Sequence, residues 1–288
     1  MILSLGSKKK FSYLIVAGFA LFNPLTNSVA NEINIQATQG SQNQTTNETL
    51  NQGTSNELNL NNAAAVEAAN RVGQIQGAAY DIAIDTIGNM YHVGTQKGPN
   101  GYALYKRNSD SAVWHVMQGD ALRIAALPNQ AWVVNAKGEV FHERGNSWTK
   151  VNAPAAKDIG AGKNEVWITS VENRIFRFFN GRWTSLPGTA VKIDVDNNDV
   201  PWIVDPNGSV AFFNNNRWTK VNTPKAKDLA ASRPGFVQIV DTNGNIQEFQ
   251  VNTGRTTMLS RGTDAVGIGA SNDKVYKLTR NLSIFRIR

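Results

Sequence analysis

The sequence predicts an all-β fold: a six-bladed β-propeller of four-stranded blades, with the last blade completed by an N-terminal strand. Three observations predict it. Trp148, Trp183 and Trp218 recur 35 residues apart, and so do Trp132, Trp167 and Trp202. Turn-forming Gly and Asn separate short runs rich in β-branched and aromatic residues, without a sustained 3.6-residue period after Asn70. The repeat is also split across the termini. The chain stops at Ile284-Phe285-Arg286-Ile287-Arg288, short of the late-Trp phrase, and Asn70-Arg71-Val72-Gly73-Gln74-Ile75 carries the missing piece. A closed ring needs such a split, because closure removes free sheet edges.

Taken in chain order, residues 1–30 read as a secretory signal peptide. Lys8, Lys9 and Lys10 precede the apolar run Phe11 to Phe22, and Ser28-Val29-Ala30 offers a cleavage site. The run makes a helix of about 18 Å, shorter than the roughly 30 Å hydrocarbon core of a bilayer. A secreted protein (extracellular or periplasmic) is expected, without stable membrane insertion after cleavage. Residues 31–62 read as a disordered Asn/Gln/Thr-rich linker. Asn, Gln, Ser and Thr make up 21 of these 32 residues, too polar a stretch to offset its ordering entropy. The propeller is assigned to residues 63–288, where Ala63 to Ala69 reads as a turn or two of helix or the approach to a strand.

Six units begin near Ala79, Ala121, Ala156, Ala190, Ala226 and Ala265. Each reads as four strands: an Ala-x-Asp-apolar strand, one carrying the early Trp, a Val-Phe or Ile-Phe strand, and one carrying the late Trp. In the first unit Thr95 to Tyr102 reads as an inserted loop. In the fifth, Phe236-Val237 is placed at the early Trp and Met258-Leu259 at the late one. The sixth takes its fourth strand from Arg71 to Ile75.

The full chain carries 29 basic and 22 acidic residues; without the leader there are 26 basic residues, a net charge of +4. The basic residues alternate with apolar ones and form no concentrated stripe, so no nucleic-acid partner is expected. The chain has no cysteine. Disulfides, thiolate metal sites and cysteine nucleophiles are excluded.

The phrase Ala156-Lys157-Asp158-Ile159-Gly160-Ala161-Gly162, followed by Val166-Trp167-Ile168, Ile175-Phe176-Arg177 and Gly181-Arg182-Trp183-Thr184-Ser185-Leu186-Pro187-Gly188, resembles a tectonin repeat. The resemblance covers about residues 70–288 and is strongest from Ala121 to Pro224. It implies a non-enzymatic lectin-like module that binds glycans, including lipopolysaccharide and other microbial surface sugars. The family's sugar contacts vary and lie in loops, so the resemblance carries over no individual residue.

Candidate site residues have to be weighed against structural roles. Six of the seven tryptophans recur in phase with strands and are expected to pack between blades, where burial of each is worth roughly 1.5–3 kcal/mol or more. Trp114 holds the late position of the first unit. Asp194, Asp196, Asn198 and Asp205 have the 1, 3, 5, 12 spacing of a calcium loop. Position 6 is Asp199 instead of Gly and position 12 lacks the usual Glu, so a strand–turn–strand reading is preferred. Asp81, Asp158 and Asp228 open axis-facing strands. They could ring a channel, but are read as turn caps. His92, His115 and His142 show no metal spacing, and no nucleophile elbow, Walker loop or dinucleotide fingerprint is present. No cofactor, metal or catalytic residue is assigned. What remain are the turns between third and fourth strands: Arg144 and Asn146, Asn180 and Arg182, Asn215 and Arg217. Asn and Arg suit sugar hydroxyls and acidic sugars, and Asn and Gly also suit tight turns. These six are the ligand-binding candidates for a glycan or glycoconjugate. The alternatives are a protein-interaction scaffold and, behind it, a metal-dependent propeller hydrolase.

Overall fold

The computed structural model describes residues 73–288, apart from 232 and 263. The expected leader, linker and Ala63–Ala69 segment lie outside the described residues. Six four-stranded antiparallel sheets form the blades of a propeller. Blades 1 to 5 span residues 81–121, 123–151, 156–189, 192–220 and 226–260. Blade 6 takes three strands from 265–286 and its outer strand from Gln74–Ala78. Gln74 pairs with Phe285 and Ile75 with Ile284, so the predicted split blade is present. The innermost strands touch in sequence order and the sixth meets the first, which closes the ring.

The alanines that open the units explain the close ring. Ala79, Ala121, Ala156, Ala190, Ala226 and Ala265 are all buried beside the inner strands, where a larger side chain would force blades apart. Two residues beyond the axial position the inner strands carry Ala or Gly again in every blade but the fourth, where Asp194 stands. At Gly160 an added Cβ would lie 2.4 Å from the Cα of Asp194, so only glycine permits that approach.

Register locates the early aromatic position in every blade. Tyr91, Trp132, Trp167, Trp202, Gln238 and Tyr276 hold equivalent places opposite the inner strand. All six are buried. The Trp132 and Trp167 indoles donate N–H bonds to Gln130 Oε1 and Glu165 Oε2, at 3.0 and 3.1 Å. The sequence reading found the three tryptophans and missed the two tyrosines. It also misplaced the fifth unit. Gln238, not Phe236-Val237, takes the early position, and Thr256 pairs with Phe249 as Trp183 does with Phe178. Tryptophan spacing failed there because blade 5 replaces packed indole with polar pairing. Gln238 Nε2 donates to Glu248 Oε2 at 2.6 Å, and Arg288 clamps both Glu248 oxygens. Residues 95–102 are not a loop insertion either. They extend the hairpin between second and third strands, with Lys97 paired to Tyr102.

Candidate functional site

Antiparallel alternation sets which turns share a face. Turns joining strands 1 to 2 and 3 to 4 of each blade lie on one face of the ring, and 2 to 3 turns lie on the other. All six predicted site residues therefore fall on one face. The hairpins are tight because their tips adopt left-handed backbone: Asn180 at φ 48°, Asn215 at 51° and Asn216 at 60°. Arg144, Asn146, Asn180, Arg182, Asn215 and Arg217 are all exposed. They are spread along the rim in three blades and do not converge on one pocket. Asn146 alone reaches a groove described below.

The late tryptophans mark the seams between blades, and here the sequence expectation needs correcting. They are structural, but unlike the early ones they are only half-buried. Each of three donates its indole N–H to a backbone carbonyl on the outer strand of the preceding blade: Trp114 to Gln76, Trp148 to Gln118 and Trp218 to Pro187, all at 2.7 Å. The next residue in each case is a glycine with positive φ: Gly77, Gly119 and Gly188. An added Cβ at Gly119 or Gly188 would come within 3.2 Å of the indole. A bulge without a side chain is thus what lets the ring lie against the strand.

Two of these seams open into grooves. The groove between blades 6 and 1 encloses about 490 Å³ and is lined by Gln76, His92, Thr95, Tyr105, Val113 and Trp114, among others. His92 stacks on Tyr105 with ring centroids 4.7 Å apart, and Trp114 meets it edge-on at 4.3 Å. His92 is 2% exposed. Its Nδ1 has no hydrogen-bond partner among the described residues. Burial first, and Arg107 second, push its pKa down to about 4. The ring is neutral at physiological pH and offers one donor and one acceptor nitrogen. The groove between blades 1 and 2 encloses about 520 Å³, with Lys106, His115, Glu143, Asn146 and Trp148 on its walls.

The propeller axis is a second candidate. The axial position of each inner strand is Asp81, Arg123, Asp158, Lys192, Asp228 and Gly267 in blades 1 to 6. Charge alternates around the ring until the glycine. Lys192 Nζ lies 2.9 Å from Asp228 Oδ1 and 3.8 Å from Asp158 Oδ1, and Arg123 Nε is 3.4 Å from Asp158. The aspartates do not cap their own turns, as the sequence reading had it. Each accepts a backbone N–H from the next blade: Asp81 from Ile124, Asp158 from Ile193 and Asp228 from Ile268, at 2.8–3.0 Å. Asp194, one tier along, does the same with Ala231 at 2.8 Å. The space between them is about 50 Å³, enough for a few waters and not for a sugar.

The calcium-loop spacing dissolves in the same geometry. Asp194 sits in an inner strand and bonds to the next blade. Asp196 accepts from Asn198 and Val200 in one turn, and Asp205 from Asn207 and Ser209 in another. No cluster of three metal-ligating side chains occurs among the described residues.

A closed, rigid ring with aromatic grooves at its seams and polar hairpins on one face is a recognition or binding module in architecture. Residues 120–204, covering blades 2 and 3 and the inner half of blade 4, match the family model of the Tectonin domain. The Tectonin match thus lies within a six-bladed propeller and spans its second and third blades and half of the fourth. No curated protein sequence matches it. Among solved structures, a protein of unknown function from Bacteroides thetaiotaomicron aligns with a TM-score of 0.54 at 9% identity, over 74% of this chain and 69% of that one. Prp20p from Saccharomyces cerevisiae aligns at 0.51 and 10% identity, over 71% and 70%. YCF48 from Cyanidioschyzon merolae aligns at 0.50 and 12%, over 74% and 84%. At such identities the likeness is one of fold alone.

Proposed function

We propose that this protein is an exported, non-enzymatic glycan-recognition module whose sugar sites are the seams flanking blade 1. The observation that carries the reading is the repeated pairing of a half-exposed indole with polar groups in grooves of about 490 and 520 Å³. Small-ligand sites run to roughly 300–1,000 Å³ and combine an apolar wall with a few convergent polar groups. The C–H face of a pyranose suits the indole ring. Its hydroxyls suit Gln76 and Thr95 in one groove, and His115, Glu143 and Asn146 in the other. Two sites on one rigid ring give avidity for a repetitive surface.

A protein-binding scaffold is the alternative. Solved propellers of this fold include yeast RCC1 (Prp20) with Kap60 bound, and Val113 and Val116 are exposed beside the two grooves. A hydrolase with an axial metal fits less well, since the axial carboxylates already hold Lys192, Arg123 and neighbouring backbone N–H groups.

The test is a glycan array probed with the full-chain protein, followed by titration of any ligand found. His115→Ala and Asn146→Ala strip polar groups from the blade 1/2 groove without touching the seam bond. They should weaken binding at least threefold with unchanged melting temperature. Absence of any retained sugar, or full-strength binding by the double variant together with Trp114→Ala, would refute the seam reading.

A further inference from the structure

We infer that the seam between blades 5 and 6 holds a binding site for a small organic anion, one that carries a carboxylate or phosphate on a hydroxyl-bearing body. It shares no residue with the sugar sites flanking blade 1. One position of the repeat points to it. Opposite the residue that follows each axial position, the second strands carry His92, Val133, Ile168, Ile203, Ile239 and Lys277 in blades 1 to 6. Val133, Ile168, Ile203 and Ile239 are at most 3% exposed and pack in the cores between blades. Blade 6 thus puts a lysine where four of its neighbours put a buried aliphatic. A lysine stem can lie along apolar surface, but its ammonium needs water or a polar partner. The Lys277 side chain is 17% exposed, and it lines a groove of about 370 Å³.

Blade 5 contributes Ser260 to the wall of this groove, and blade 6 contributes Asp264, Lys277, Arg280, Phe285 and Arg286. Arg280 stands in the turn between second and third strands. Its backbone N–H bonds to the Asp264 carbonyl at 2.9 Å, which fixes that turn beside the entry to the inner strand. Phe285 pairs with Lys277 across the sheet, with the ammonium 5.4 Å from its ring centroid. Arg286 donates Nε to the Arg288 carbonyl at 3.0 Å. Three cationic side chains therefore line the groove with one carboxylate. That carboxylate does not fully satisfy the lysine. Lys277 Nζ lies 3.3 and 3.5 Å from the two Asp264 oxygens. A charge-assisted N–H···O bond closes to about 2.7–2.9 Å, so the ammonium keeps donor capacity for a closer partner.

Positive charge alone does not mark the site, because exposed lysines and arginines such as Lys137, Arg144 and Arg261 stand all around the ring. Concavity and charge imbalance together mark it. The blade 6/1 groove has no Lys, Arg, Asp or Glu in its wall. In the blade 1/2 groove one cation meets one carboxylate, Lys106 at 3.8 Å from Glu143. The blade 5/6 groove combines an excess of cations with a size near the lower end of small-ligand sites, roughly 300–1,000 Å³. Ammonium and guanidinium donors match a carboxylate or phosphate. Ser260 and Asp264 suit hydroxyls on the ligand body, and Phe285 supplies an apolar wall. A small anion with a polar body fits this chemistry better than a neutral sugar, which would leave the cations unmatched.

The experiment is calorimetric titration of the full-chain protein with glucuronate (carboxylate) and glucose 6-phosphate (phosphate), with glucose as the neutral competitor. At least one anion should bind saturably, and glucose should not displace it. Which anion binds decides between carboxylate and phosphate. Lys277→Met restores an apolar side chain of the kind most blades carry there. It should weaken anion binding about tenfold, the loss of one hydrogen bond to a charged group, with a melting temperature unchanged or raised. Arg280→Gln lies in an exposed turn and should weaken binding about two- to fivefold, which keeps the test alive if Lys277→Met fails to fold. Lys97→Gln removes a charge elsewhere and should bind normally. The inference is overturned if neither anion binds, if glucose displaces either at equal concentration, if Lys277→Met or Arg280→Gln binds like wild type, or if Lys97→Gln loses as much as they do. His115→Ala separates this site from the sugar grooves. Loss of array sugar there with anion binding intact supports separate sites, and absent anion binding beside retained array sugar refutes only the blade 5/6 site.

Discussion

Replacing Lys192 by Met tests whether the alternating axial charges hold the ring together. The substitution keeps the aliphatic stem and removes the ammonium that lies 2.9 Å from Asp228 and 3.8 Å from Asp158. Both carboxylates then face the narrow axis with less compensation, although Asp228 keeps its bond from Ile268 N–H at 3.0 Å. Breaking a buried ion pair by removing one partner costs about 3–5 kcal/mol. The Lys192 side chain is 24% exposed toward the channel. Water there offsets part of the loss, and about 2–4 kcal/mol is expected. An exposed pair would yield no more than about 1 kcal/mol, so the two cases are distinguishable. The assay is urea unfolding followed by tryptophan fluorescence, read as a midpoint shift at constant m-value.

The pH dependence of that loss sharpens the test. Burial pulls the Lys192 pKa down, but Asp228 and Asp158 together hold it above its usual value. Burial raises Asp158, and Lys192 and Arg123 pull it back. Without the ammonium Asp158 loses the attraction that pulls its raised pKa back, and its protonation relieves the repulsion. The destabilisation should therefore be large at pH 8 and shrink toward pH 4. A loss below about 1 kcal/mol at pH 8, or one equal at both pH values, would refute the axial-clamp argument.

Two further outcomes follow from the same geometry. Burial first, with repulsion from Asp158 and Asp228 behind it, lifts the Asp194 pKa to about 8 against opposing N–H bonds from Ala231 and Val195. A raised acid keeps its proton in the folded state, so its contribution to stability is present below about pH 4 and is lost as pH rises toward 8; Asp194→Asn should flatten that slope in unfolding midpoints measured from pH 5 to 8, and an unchanged slope would count against it. Deleting residues 74–78 should strip the outer strand from blade 6 and lower the melting temperature with aggregation, read by thermal melt and light scattering, and an unchanged melt would show that ring closure does not depend on the split blade.

Blade number, strand number and the split blade were legible because all three follow from periodicity and from turn residues. Ring closure demands the same small alanine, large buried side chain and tight turn in each unit, so the pattern repeats in sequence. Tyr91, Tyr276 and Gln238 escaped because the position needs a large buried group, not tryptophan in particular. A search by identity finds Trp, while the register requires only volume or a satisfied polar network. The candidate site was less legible. Arg144, Arg182 and Arg217 could be seen, since hairpin tips announce themselves through Asn and Gly. The seam grooves could not, because each joins residues such as Gln76 and Trp114 that only neighbouring blades bring together. Nor could the axial ring be read as a unit. Asp81, Asp158 and Asp228 looked like three copies of one feature, while Arg123, Lys192 and Gly267, their equivalents in the intervening blades, looked like exceptions.

Those exceptions are where the repeat becomes specific. Identical blades with aspartate at all six axial positions would place six like charges around a channel of about 50 Å³. Alternation with Arg123 and Lys192 resolves the repulsion and makes neighbouring blades chemically different. The seams diverge by the same logic. Where Gly119 or Gly188 yields a bulge, the next indole finds a carbonyl and the seam closes on a hydrogen bond. Between blades 2 and 3 no glycine stands at that point, and Ala153 and Pro154 follow the outer strand instead. The Trp183 indole N–H there is buried without a partner among the described residues. Between blades 4 and 5 Thr223 and Pro224 stand there, and the late position beyond them is Thr256, which has no indole to satisfy. Glycine before a Trp, or no glycine and no Trp, is a locally consistent choice, and the blade 2/3 seam mixes the two. A ring of near-equal units can thus carry distinct seams, and the two with both a tryptophan clasp and an open groove flank blade 1.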